Sequence, residues 1–247
     1  MKNFKADLHV HTILSPCAEI EMIPPLIVQE AINKSIDIIA ITDHNAIANI
    51  EAVQNAAKNT DLHIIPGLEL QTKEEIHSLC LFPTLKECES FYLELLPYIP
   101  PLRNDPDLFG EQFIVDETGA YIRRENQLLI SSISLSLEDS FKLVKMHNGL
   151  FIPAHIDNRT FGLIGHLGFI PETIQFDALE LSKNLDFFSF RDKNIKANYY
   201  PLIHNSDAHQ LSDICGYTDF FIEEPTLLEI QSAFKCINKR RFKVQLE

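Results

Sequence analysis

Asp7-Leu8-His9-Val10-His11 ends an apolar run that reads as a strand. Alternate side chains of a strand share a face, so His9 and His11 point the same way and form a chelating pair. The chain repeats the device near its other end, in Asn205-Ser206-Asp207-Ala208-His209. Two such pairs of metal-competent ligands, both at strand ends, are hard to explain by packing. Asp43-His44, Glu69 and His155 close other apolar runs, while His77 lies nearer the start of its own. Imidazoles and carboxylates without a supporting thiolate cluster suit Zn²⁺, Mn²⁺ or Fe²⁺. Glu69 is the natural bridge, because a carboxylate can give one oxygen to each of two metals. Metals held about 3.5–4 Å apart can activate a shared water and clamp phosphate oxygens. Metal charge lowers the pKa of bound water toward neutrality. The nucleophile would then be metal-bound hydroxide, with no serine or cysteine needed, and a phosphate ester is the substrate class that best exploits it.

The elements that must position these groups alternate in type. Strands are predicted over Phe4–His11, Ser35–Thr42, Leu62–Glu69, Ile76–Phe82, Gly149–His155, Phe176–Leu181, Leu202–Asp207 and Tyr217–Ile222. Helices are predicted from Pro24 to about Lys34, from Ala46 to Lys58, from a capping box at Thr84 to about Leu96, from Ser136 to a stop at Gly149, and from Thr226 to about Ile237. Strands alternating with helices predict a parallel sheet. In a βα barrel the strand C-termini converge on one face, which would bring these distant residues around a single pocket. Residues 97–135 are less regular, and Phe161 to Gly168 is a glycine-punctuated loop. No repeat, low-complexity tract or composition break marks a second domain.

At 247 residues the chain can bury a substantial core. Its net charge of −14 argues against a large basic surface for non-specific nucleic-acid binding. Five cysteines without CxxC spacing fit a reducing compartment better than a disulfide scaffold. No apolar stretch approaches the roughly 20 residues of a membrane span. With no signal peptide visible, a cytoplasmic protein without membrane contact is expected.

The set Asp7-Leu-His-Val-His11, Thr42-Asp-His44, Pro66-Gly-Leu-Glu69, His77, Ala154-His155 and Ser206-Asp-Ala-His209 resembles the polymerase and histidinol phosphatase (PHP) family. Each motif is short, but all fall in the family's order along nearly the whole chain. The resemblance implies an α/β fold, a distorted (β/α)7 TIM-like barrel of PHP type, as one domain over residues 1–247. It implies two or three divalent metals and phosphoesterase chemistry. By position, His9, His11, Glu69 and Asp207 would hold one metal, and Glu69, His77 and His155 a second. His44 and His209 would help hold a third, with Asp7 and Asp43 orienting ligands from behind. One departure concerns the first motif. Where the family commonly carries Asp or His after a turn, this chain has Ser15-Pro16-Cys17. Glu19 or Glu21 could substitute, Glu21 being preferred because it directly precedes the Met-Ile-Pro helix start. Cys17 is the rival, as a thiolate.

Arg159, four residues after His155, is the best placed cation for a phosphate. His166, in the glycine-rich loop, could touch substrate. His63 is expected near solvent, His147 at a helix C-terminus and His204 on a packing face. The expected substrate is a small phosphomonoester or nucleotide. A 5′-end exonuclease on short RNA or DNA is the alternative, and a catalytically silent metal-binding regulatory module is the non-enzyme reading. Amidohydrolases also open with His-x-His, but no lysine stands at a matching strand end for the carboxylated lysine they usually carry.

Overall fold

The computed structural model describes residues 1–183 and 187–245. In chain order the strands and helices are β1 (Lys2–Val10), α1 (Pro24–Asn33), β2 (Ile38–Ile41), α2 (Ile50–Ala57), β3 (His63–Gln71), β4 (His77–Leu81), α3 (Leu85–Leu95), α4 (Pro106–Phe109), β5 (Phe113–Val115), β6 (Tyr121–Arg124), α5 (Leu137–Met146), β7 (Leu150–Pro153), α6 (Leu163–Leu167), β8 (Leu179–Leu181), α7 (Phe187–Lys193), β9 (Leu202–His204), β10 (Thr218–Ile222), α8 (Leu227–Phe234) and β11 (Arg241–Val244).

The main sheet runs β11-β10-β1-β2-β3-β4-β7. β1, β2 and β3 are parallel, as apolar runs buried on both faces predict. β4 departs from the expected parallel order: it is antiparallel to both neighbours, β3 and β7. β8 and β9 form a separate parallel pair. That pair joins the curl at both ends. Ile156 N donates to Glu180 O at 2.9 Å beside β7, and a parallel bridge links Val10 to Ala208 beside β1. Among the described residues, β1, β2, β3, β4, β7, β8 and β9 thus make a distorted TIM-like barrel. β10 and β11 extend β1 outward, antiparallel.

The pleat of β2 shows how the core is divided. Ile39 and Ile41 pack outward against α1 and α2, with Ile27, Val28 and Val53. Ile38 and Ala40 face inward with Leu8, Leu79, Ile152 and Ile203. Phe220 and Ile222 of β10 and Ile230 and Phe234 of α8 continue that inner cluster. Apolar packing therefore fills the barrel interior and leaves the polar groups on one rim.

Local chemistry sets several boundaries. Pro24 and Pro25 open α1. Thr84 Oγ1 accepts from Glu87 N at 3.3 Å, the first half of the expected capping box, while the Glu87 carboxylate takes the Thr84 hydroxyl proton at 2.9 Å in place of the backbone N–H. α5 ends on Asn148, in the left-handed region at φ 58°, and not on Gly149. Gly149 answers to space instead, since a Cβ there would lie 2.6 Å from Val144 Cγ1. α2 begins at Ile50, later than Ala46, because residues after Asp43 turn across the rim with Asn45 at φ 44°. The irregular stretch 97–135 contains α4 and the β5–β6 ribbon, and the loop before Gly168 contains α6. β11 was not expected.

Candidate metal centre

The rim brings nine chemistry-bearing side chains together: His9, His11, Cys17, His44, Glu69, His77, His155, Asp207 and His209. Glu69, on β3, is 1% exposed. Its carboxylate lies 3.0 Å from His44 Nδ1, His77 Nδ1 and His155 Nε2, 3.4 Å from His9 Nε2 and 3.5 Å from His11 Nε2. His77 reaches it because β4 is reversed. The N-terminal residue of an antiparallel strand lies on the same rim as the C-terminal residues of its parallel neighbours, and His77 pairs with Gln71 in the ladder. Sharp turns aim two further groups. His155 and Asp207 follow β7 and β9 with φ of 29° and 51°, conformations side-chain-bearing residues seldom adopt and which concentrate at functional sites.

The two leading histidines are each committed at Nδ1. His9 Nδ1 lies 3.1 and 3.2 Å from the two oxygens of Glu180. His11 Nδ1 lies 2.9 Å from Ser15 Oγ, which in turn donates to Asp43 Oδ1 at 2.7 Å. With both Nδ1 atoms donating, both Nε2 atoms present lone pairs, and these face each other at 3.2 Å. Without a cation between them one ring must carry an extra proton. The pKa directions agree. Burial opposes charge on His9, but Glu180, Asp207 and Glu69 raise its pKa well above the ordinary value. His11 is held well below by burial and by His209 and His44.

Other buried atoms are unpartnered. His44 Nδ1 and Glu69 Oε2 lie 3.0 Å apart without a hydrogen bond between them, and His77 Nε2 and His155 Nδ1 have no partner. Buried polar atoms are rarely left this way. The donor set fits divalent cations: His9, His11 and Glu69, then His44, Glu69 and His77, then His11, His44 and His209 each gather ligand atoms within 4.8 Å. Burial pushes the Glu69 carboxyl up, yet the charges of His77, His9 and His44 hold it well below the carboxylate range. Asp207 is also lowered, burial being outweighed first by His9 and a bond to His11.

The supporting layer is only partly the one the sequence suggested. Asp43 receives Thr12 N, Thr12 Oγ1 and Ser15 Oγ, all at 2.7 Å, so it acts on His11 through Ser15. Asp7 ties β1 to the Asp207 loop, accepting from Ser206 N and Cys215 N at 3.0 Å. Glu180 is the residue sequence reading passed over. Besides His9 it accepts from His155 N at 3.1 Å and Asn205 Nδ2 at 2.7 Å. Its signal was a carboxylate between two leucines in Phe176–Leu181, a run that also carries Asp177.

The centre opens into a cavity of about 320 Å³. Phe161 forms part of its wall, its ring stacked on His77 at 4.3 Å, beside Asn158 and Ile130. A second cavity of about 180 Å³ adjoins it across His155, Asn158 and Asp207 and reaches Lys183. The remaining expected residues lie apart. Glu21 is exposed and does not line the cavity; Cys17 does, and its thiol is in hydrogen-bonding reach of His209 and His44. Burial raises that thiol, but those two histidines bring it down to about 6. The physical reason is the loop's path: Glu19 N donates to His209 O at 2.8 Å, which turns the chain so that residue 17 faces the rim and residue 21 faces out. Arg159 is exposed and outside the cavity lining. His166 is exposed and bonded through Nε2 to Thr160 O in its own loop. His63 is exposed, His147 meets Glu94 at 3.2 Å, and His204 is buried against Phe187.

Comparison with known proteins adds three likenesses. An uncharacterized protein, YqxK, of Bacillus subtilis is 24% identical over 98% of this chain and 64% of its own length. The lesion-specific endonuclease EndoQ of Pyrococcus furiosus superposes with a TM-score of 0.74 at 21% identity, over 98% of this chain and 58% of that one. Endonuclease Q in complex with a 27-mer duplex carrying an abasic lesion at the active site gives 0.75 at 18%, over 97% and 58%. The chain thus spans less than two thirds of the length of each. No helix among the described residues is long and apolar enough to cross a membrane. The model of the PHP domain matches residues 7–233, and the chain belongs to the PHP domain family.

Proposed function

We propose that this chain is a metal-dependent phosphoesterase whose centre is held by His9, His11, Glu69 and Asp207, by Glu69, His77 and His155, and by His44 and His209. The observation that carries this reading is the pair of Nε2 lone pairs facing each other at 3.2 Å, with both Nδ1 atoms already committed to Glu180 and Ser15. A cation between them would take up both lone pairs and so remove their repulsion.

When bound, two or three divalent ions such as Zn²⁺, Mn²⁺ or Fe²⁺ would activate water and offset phosphate charge. The residues do the rest. Glu69 spans two ligand groups with its two oxygens. Glu180 and Ser15 fix the tautomers of His9 and His11. Phe161 and Ile130 exclude water from one wall, and Asn158 offers a polar contact at the junction of the two cavities. No lysine or arginine lines the larger cavity among the described residues.

The cavities favour an ester with substituents on both sides. They share His155, Asn158 and Asp207 as lining residues, which gives room beside the centre on both sides of these groups. That shape, and the duplex held by the endonuclease neighbour, support a nucleic-acid phosphodiester over the small phosphomonoester or nucleotide expected from sequence. The experiment pairs metal analysis with hydrolysis of a 5′-labelled oligonucleotide, nucleoside monophosphates and an aryl phosphate. Two or more equivalents of metal, with oligonucleotide cleavage abolished by chelation, are expected. Turnover confined to monophosphates would return the reading to a phosphomonoesterase. Bound metal with no turnover on any substrate would favour a regulatory module.

A further inference from the structure

The turn after the first histidine pair has a different character from the rest of the centre. Every other group gathered on the rim is an imidazole or a carboxylate, whereas Cys17 brings sulfur. Its loop is fixed from two sides. Glu19 N is tied to His209 O at 2.8 Å, and Gly110 packs so closely that a Cβ there would lie 2.4 Å from Pro16 O. Cys17 is therefore held at the cavity mouth beside His209 and His44. Those two imidazoles, with His11, already bring donor atoms within 4.8 Å of one another. His44 is 6% exposed and turns its Nδ1 to Glu69 at 3.0 Å, which leaves Nε2 for a second ligand. His209 spends Nδ1 on Asp207 O at 3.0 Å, which leaves Nε2 for a ligand.

We infer that Cys17 is a thiolate ligand, completing with His44 and His209 a mixed nitrogen–sulfur metal position at the mouth of the centre. The inference rests on the metal-centre reading above. It gives that position a selectivity that the inner positions, built of imidazoles and carboxylates alone, lack. Thiolate ligands favour Zn²⁺, Co²⁺ or Fe²⁺, whereas Mn²⁺ and Mg²⁺ prefer oxygen donors. Three protein ligands leave a fourth, open position facing the cavity, the arrangement of a site that meets substrate.

Cobalt reports sulfur ligation directly, through a thiolate-to-cobalt charge-transfer band in the near ultraviolet. The full chain loaded with Co²⁺ is expected to show this band. It should vanish in Cys17→Ser and Cys17→Asp and persist in Cys236→Ser, whose thiol is exposed elsewhere. Cys17→Ser should also weaken one Zn²⁺ equivalent by at least about tenfold, the lower end of what losing a supporting group costs. Alkylation of Cys17 by iodoacetamide, followed by peptide mapping, should slow on adding Zn²⁺ to the unmutated chain, which needs no variant to fold. Two or more equivalents of bound cobalt with no charge-transfer band, or a band that survives Cys17→Ser, would overturn the inference and leave the metal-centre reading standing. No bound cobalt at all would overturn both.

Discussion

The two sides of the centre are built differently. On the inner side, His9 and Glu69 are 0% and 1% exposed, and they sit on or at the ends of strands backed by Glu180. On the outer side, Asp207 and His209 are 40% and 29% exposed and, with Cys17, occupy loops tied together by backbone hydrogen bonds. The inner side is preorganised by the barrel itself. The outer side depends on a few turns, so its ligands can differ between chains without disturbing the fold. The sequence departure falls on the outer side, at Cys17.

The largest expected effect strikes the inner side. Glu69→Gln keeps the shape but removes the charge that several imidazoles share. Hydrolysis should fall by at least roughly 10²–10³-fold in kcat/KM, with metal content reduced, as steady-state kinetics and elemental analysis would show. Full activity in this variant would mean that the inner group is not the centre. Glu180→Gln comes next. It leaves the ligands in place but weakens the bond that orients His9, so metal affinity or activity should drop about 10–100-fold. An unchanged Zn²⁺ affinity in a competition titration would demote Glu180 to packing. The smallest effect belongs to residues the structure sets outside the cavity. Arg159→Ala and His166→Ala should each change KM by less than about threefold, equivalent to under 1 kcal/mol. A tenfold rise in KM for Arg159→Ala would show that its loop folds over the substrate.

Part of this site was legible from spacing alone. The pairs His9/His11 and Asp207/His209 announce themselves because a strand's period is two, and Glu69 and His155 because they end apolar runs. Strands alternating with helices predicted a parallel sheet, and the resemblance to the PHP family implied the distorted barrel. What stayed hidden depends on three-dimensional choices that periodicity does not encode. Nothing in Ile76–Phe82 says that β4 runs backward, yet that reversal puts His77 on the rim. Glu180 sits among apolar neighbours, and only its hydrogen bonds to His9, His155 and Asn205 reveal its role. That residue 17 and not residue 21 faces the rim depends on the path of one loop, fixed by a hydrogen bond to a residue 190 positions away. The β5–β6 ribbon was obscured because its strands are three and four residues long and its exposed members carry little pattern.

The seam between β1 and β9 sets the timing of assembly. Leu8 N donates to Asn205 Oδ1, Ser206 N to Asp7 Oδ1, and Val10 bridges Ala208, so the first ligand pair is completed by residues about 200 positions later. At typical synthesis rates of about 5–20 residues per second, His9 and His11 leave the ribosome roughly 10–40 s before Asp207 and His209. Throughout that interval the nascent chain displays a two-imidazole chelate without Asp207 and His209. A cation held by the first pair would therefore be enclosed only when the last barrel strand closes, and the closing residues would then add their own preference to that of the two imidazoles.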